Sequence, residues 1–65
     1  MIKVKIDVRL KEGNYLCKEE LEIVAIPRIG EKLVASGMML KIDSITYHTE
    51  YVSLMATKEK DVAQE

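Results

Sequence analysis

Residues 2–11 alternate apolar and charged side chains without a break. Ile2, Val4, Ile6, Val8 and Leu10 are interleaved with Lys3, Lys5, Asp7, Arg9 and Lys11. Strict period two over ten positions excludes a helix, whose apolar residues recur every three to four positions. It describes a strand with one face on a core and one in water, the usual arrangement of an antiparallel sheet. Lys11-Glu12-Gly13-Asn14 then reads as a hairpin loop, with Gly13 and Asn14 tolerating positive φ.

The second strand is expected from Tyr15 to Ile26, and charge selects its register. With Leu10 opposite Tyr15, Lys3 faces Glu22, Lys5 faces Glu20 and Asp7 faces Lys18. On the other face Ile2 meets Ile23, Val4 meets Leu21 and Val8 meets Cys17. Opposite charges across a pair contribute about 0.2–1 kcal/mol each. A two-residue slip sets Asp7 against Glu20 and Arg9 against Lys18, which repel. Glu19 is the misfit: it falls on the apolar side, opposite Ile6, and is expected at a bulge that turns it to solvent or at the sheet's open end.

Pro27-Arg28-Ile29-Gly30 ends the strand, since proline cannot donate to a central ladder. Short strands are expected at Glu31–Ser36, Met38–His48 and Tyr51–Thr57. Within the fourth, Leu40 and Ile42 share one parity while Ile45 and Tyr47 have the other. A regular strand cannot place all four inward, so a bulge or sharp bend belongs at Asp43-Ser44. Residues 58–65, KEKDVAQE, read as a polar C-terminal tail, frayed or in one weak helical turn. Residues 1–57 are the domain: all-β, a small five-stranded antiparallel barrel with a long N-terminal hairpin, closed to remove its edges.

Ile26-Pro27-Arg28-Ile29-Gly30-Glu31-Lys32-Leu33, followed by Leu40-x-Ile42-x-x-Ile45, resembles the layout of small SH3-like β-barrel proteins, among them small bacterial and phage-type proteins of this length. There a proline-and-glycine turn with an acidic residue opens a short strand, and a kink follows. The resemblance covers residues 26–57 and implies an SH3-like barrel. The chain departs from peptide-binding SH3 domains in having no Trp and no Phe. Capture of a polyproline ligand, which needs an aromatic groove, is therefore not implied.

Composition narrows the function classes. With 10 basic and 11 acidic residues, no global field draws the chain to nucleic acid or to an anionic membrane. No apolar run approaches the ~20 residues of a membrane span. Cys17 is the only cysteine, which excludes an internal disulfide and leaves His48 as its sole Cys/His partner for a metal. That cysteine and an N-terminus without a secretory pattern point to a reducing, cytoplasmic setting. No cofactor motif is present.

Four residues stand out as ligand or partner contacts. Tyr47 and His48, with Tyr51 across the Thr49-Glu50 turn, form the one aromatic and imidazole patch, able to stack a base or ligand ring. Its plainer reading is a set of turn-flanking residues covering the barrel end. Arg28 sits in a loop, where binding residues concentrate, although a solvated turn charge explains it as well. Lys3, Lys5, Arg9 and Lys11 make a basic stripe, which Glu20 and Glu22 largely neutralise. Cys17, Met38, Met39 and Met55 read as core filling. A lone His with no nucleophile or carboxylate partner makes no catalytic site, so the chain reads as a non-enzyme.

A 65-residue chain with no staple gains most by burying surface against a copy of itself. The sequence therefore reads as a protein-interaction module that self-associates as a dimer, its target undefined. The alternatives are a nucleotide-type small ligand in an inter-subunit pocket, with Arg28 and the tyrosines, and a barrel binding nucleic acid weakly.

Overall fold

The computed structural model describes residues 1–62 as five strands and no helix. They are β1 (Ile2–Arg9), β2 (Tyr15–Ile23), β3 (Lys32–Ala35), β4 (Met38–Tyr47) and β5 (Val52–Asp61). One sheet contains them all, in the order β2-β1-β5-β4-β3, curled into a half-barrel.

The expected β1–β2 register holds along most of the hairpin. Lys3 pairs with Glu22, Lys5 with Glu20, Asp7 with Lys18, and Val8 with Cys17. Only Asp7 and Lys18 come within ion-pair reach, at 3.9 Å. The Leu10–Tyr15 pair itself does not form. The ladder shifts between Val8 and Arg9, so Arg9 faces Tyr15 and Leu16 is the extra residue. The loop closes by hydrogen bonds from the Leu10 N–H to the Asn14 carbonyl and from the Gly13 N–H to the Leu10 carbonyl, both 2.8 Å. The bulge thus lies beside the hairpin loop rather than at Glu19, which keeps its place opposite Ile6.

The sheet is mixed, which corrects the expectation of purely antiparallel pairing. β1 lies parallel to β5, with Val4 aligned to Val52, Ile6 to Leu54 and Val8 to Ala56. A solvated outer face made β1 read as part of an antiparallel sheet, but a parallel neighbour leaves that face equally wet. The long connection a parallel pair requires is supplied by β2, β3 and β4 together. The half-barrel also leaves β2 and β3 as open edges, where full closure was expected.

Alternate residues of the three central strands build the core. Val4, Ile6, Val8, Leu40, Ile42 and Leu54 are fully buried, with Ala56, Val52 and Met38 around them. Ile2, Cys17, Leu21, Ile23, Ile26, Leu33, Ala35 and Ile45 pack against this layer. β2 stops at Ile23, short of the expected Ile26, and the chain returns over the core through Ile26.

The parity slip in β4 is a bulge at the expected place. Ile42 pairs with Ala56 and Ser44 with Met55, leaving Asp43 as the extra residue. Ile45 thereby faces the core although it stands three positions from Ile42. The Asp43 carboxylate accepts a 2.6 Å hydrogen bond from the Thr57 hydroxyl. Tyr47 departs from the expectation: it shares the parity of Ile45 but lies beyond the core and is 71% exposed.

β5 runs past Thr57 to Asp61, so residues 58–61 are strand and not tail. Met38 pairs with Asp61, Met39 with Lys60 and Leu40 with Lys58, with a second shift between Met39 and Leu40. Polar residues hold this extension through the backbone ladder and through ion pairs. Lys58 meets Asp61 at 2.9 Å, and Lys32 of β3 reaches Glu59. The Val62 N–H donates to the Gly37 carbonyl at 2.7 Å. Residues 63–65 of the expected tail lie outside the described residues.

The Lys32 hydrogen bond, aided by the charges of Lys11 and Lys41, holds the Glu59 carboxyl below its ordinary range. A depressed carboxylate adds stability that is present above the unfolded-state pKa of about 4.3 and disappears as pH falls through the folded one. Lys32→Met is therefore expected to be slightly less stable than wild type at neutral pH and equal to it in acid. Urea midpoints of both proteins across an acid pH series check this, and a gap that persists in acid overturns it.

Candidate functional site

Parallel pairing of β1 with β5 puts the start of β1 beside the β4–β5 turn. The turn closes with a 2.9 Å hydrogen bond from the His48 N–H to the Tyr51 carbonyl. The imidazole of His48 stacks on the Tyr51 ring, with centroids 4.3 Å apart and planes inclined by 18°. Such near-parallel stacking fixes two rings that would otherwise sample several rotamers. The Lys5 ammonium lies 4.4 Å from the centroid of the Tyr51 ring, a cation–π contact.

Beside this stack is an open groove of about 310 Å³, lined by Met1, Ile2, Lys3, His48, Thr49, Glu50, Tyr51 and Val52. Its lining includes the apolar Ile2 and Val52, the basic Lys3 and the acidic Glu50. Among the described residues neither Lys3 nor Lys5 makes an ion pair. Lys3 and Glu22 are register partners, yet they stand apart across a second, smaller hollow of about 190 Å³ shared with Glu20 and Leu21.

His48 and Tyr51 are thus brought together, and the other two candidate residues are not. Tyr47 pairs with Val52 in the ladder, but its side chain is 71% exposed and it does not line the groove. Arg28 lies in the β2–β3 connection with its side chain exposed. Its N–H donates to the Glu31 carboxylate at 2.7 Å and its carbonyl accepts from the Glu31 N–H at 3.0 Å. The Gly30 N–H donates to the Ile42 carbonyl and the Ile42 N–H to the Glu31 carbonyl, tying this loop to mid-β4. Arg28 therefore serves a turn away from the groove.

Two lysines read from the sequence as part of a neutralised stripe turn to this site instead, Lys3 lining the groove and Lys5 lying over the Tyr51 ring beside it. Lys5 thereby leaves its register partner Glu20. The signal that would have found them is the adjacency of β1 and β5, which no local pattern reports.

On the inner face, the Glu19 carboxylate accepts a 2.6 Å hydrogen bond from the Ser36 hydroxyl in the β3–β4 turn. The Cys17 thiol donates weakly to the same carboxylate, 3.6 Å away. Burial, the hydrogen bond to Glu19 and its negative charge push the Cys17 thiol up, which favours the thiol over the nucleophilic thiolate. No cluster of three metal-binding side chains occurs among the described residues, and no helix there is long and apolar enough to cross a membrane.

No protein-family model, no curated protein and no solved structure matches the chain.

Proposed function

We propose that the protein is a non-catalytic interaction module that associates with a second copy of itself through its β3 side. What carries the reading is the contrast between the two open edges. β2 is guarded: it has a bulge at Leu16 and bears Lys18, Glu19, Glu20 and Glu22, the features that discourage strand addition. β3 is four residues long and carries Lys32, but it has no bulge, and its Val34 is 54% exposed. The connection leading into β3 exposes Ile29 and Val24 as well, at 65% and 84%. Antiparallel addition of one β3 to another would satisfy the edge amides and cover Val34. The SH3-like kinship of residues 26–57 is part of the same proposal, since such barrels bind more often than they catalyse.

Sedimentation equilibrium at micromolar concentration is expected to give twice the 7.4 kDa chain mass. Val34→Lys is expected to return the protein to monomer with its circular dichroism unchanged. Leu16→Lys, at the other edge, is expected to leave the dimer intact. A wild-type mass of 7.4 kDa throughout that range overturns the proposal, as does a Val34→Lys dimer of undiminished affinity.

A further inference from the structure

We infer that the groove at the β4–β5 turn is a binding site for a nucleotide-type ligand, with a planar base on the outer face of His48 and a phosphate at Lys3. The inference stands apart from self-association, because every residue it uses belongs to one chain and none lies on the β3 side.

Three observations carry it. The first is pre-organisation. His48 is exposed but not free to wander, because its ring rests on Tyr51 and its backbone closes the turn. A flat surface already held in place takes a second flat ring without the entropy cost of ordering it. Bases stack on such surfaces with little regard to sequence, since every base has a π-face. The second is charge. Lys3 lines the groove without an ion pair, and Lys5 adds a second positive charge beside Tyr51. An anion reaching the groove therefore meets ammonium groups that no carboxylate among the described residues pairs with. Acidic groups also face the site. Glu50 lines the groove, and Glu22 and Glu20 stand opposite Lys3 and Lys5 on β2. A ligand of negative charge alone would gain little here. One that also offers hydroxyl or amino donors suits Glu50, and a ribose or a base with an exocyclic amine supplies them. The third is size. The open groove of about 310 Å³ is at the small end of ligand sites, which suits a ligand of one unit rather than a longer one.

A mononucleotide and one unit of a single strand share this chemistry, so the experiment carries both. The ¹⁵N-labelled protein is titrated with adenosine 5′-monophosphate, adenosine, inorganic phosphate and an oligothymidylate, following amide shifts. Shifts confined to residues 1–5 and 48–52 are expected, with the monophosphate binding about tenfold more tightly than adenosine. His48→Ala is expected to weaken the monophosphate about tenfold, the scale of one base-on-ring stack. Lys3→Ala is expected to bring the monophosphate down to the affinity of adenosine. A strand as the natural source shows as tighter oligothymidylate binding that falls steeply with salt, and a free nucleotide shows as no gain from the oligomer. Either result supports the site. Shifts centred elsewhere, affinities indifferent to both substitutions, or no shift at millimolar ligand overturn it. Both variants change exposed side chains, and their unligated spectra report whether the fold is kept.

Discussion

Leu54→Ala is expected to leave the chain mostly unfolded at 25 °C. Leu54 is fully buried in β5, facing Ile6 across the parallel ladder and Ile45 across the antiparallel one. Truncating such a residue removes its transfer free energy and leaves a cavity, together about 2–5 kcal/mol. A core in a chain this short rarely supplies more than about 3–5 kcal/mol in total. The loss therefore matches the whole of the stability. Urea titration followed by circular dichroism, at one fixed protein concentration because association adds stability, measures it. Val24→Ala, at an 84% exposed position, is the control and is expected within about 0.5 kcal/mol of wild type. A Leu54→Ala midpoint equal to that of wild type would mean the β1–β5–β4 layer is not the core.

Most of the fold was legible because its signals were local. Alternation in β1 gave both its existence and its buried face. Charges on adjacent strands of one hairpin then selected a register, and the pairs from Ile2–Ile23 to Val8–Cys17 follow it. The irregularity at Asp43 was legible too, because the parities of Ile42 and Ile45 require either a bulge or a bend there, and the ladder has the bulge. What stayed illegible depends on residues far apart in the chain. Nothing near Val4 or Val52 announces that they lie side by side in parallel. Lys58, Glu59 and Lys60 look like a tail because their partners, β4 and Lys32, are not in view locally.

The candidate site divides along the same line. His48 and Tyr51 are three residues apart on one turn, so their proximity could be read directly. Lys3, which lines the groove, and Lys5, which lies over Tyr51, come from β1 and could not. Tyr47 is adjacent to His48 in sequence, yet it ends β4 exposed and outside the groove. Arg28 lies in a loop, where binding residues concentrate, but that loop is tied to the middle of β4.

Glu19 shows how a residue that breaks a local pattern can serve a distant one, and it supports a second quantitative expectation. A carboxylate on the apolar face of β2 reads as an error to be turned outward. It stays inward because the curl of the sheet brings the β3–β4 turn over it. That turn has positive φ at both Ser36 and Gly37, 52° and 75°, the twist of a tight two-residue hairpin connection. The twist presents the Ser36 hydroxyl to Glu19 at 2.6 Å. The bond joins β2, at one open edge, to the turn following β3, at the other, where no backbone ladder runs. A hydrogen bond to a charged group is worth about 1.5–3 kcal/mol when well shielded. Ser36 is exposed, so the smaller figure of about 1 kcal/mol is expected here. Glu19→Ala and Ser36→Ala are each expected to cost about that much, and the double variant no more than either alone. Glu19→Gln, which keeps an acceptor oxygen, is expected to lose less than Glu19→Ala. Urea titrations of the four proteins form the cycle. Fully additive losses would mean that Glu19 and Ser36 act independently and that the half-barrel keeps its curl without the bond between them.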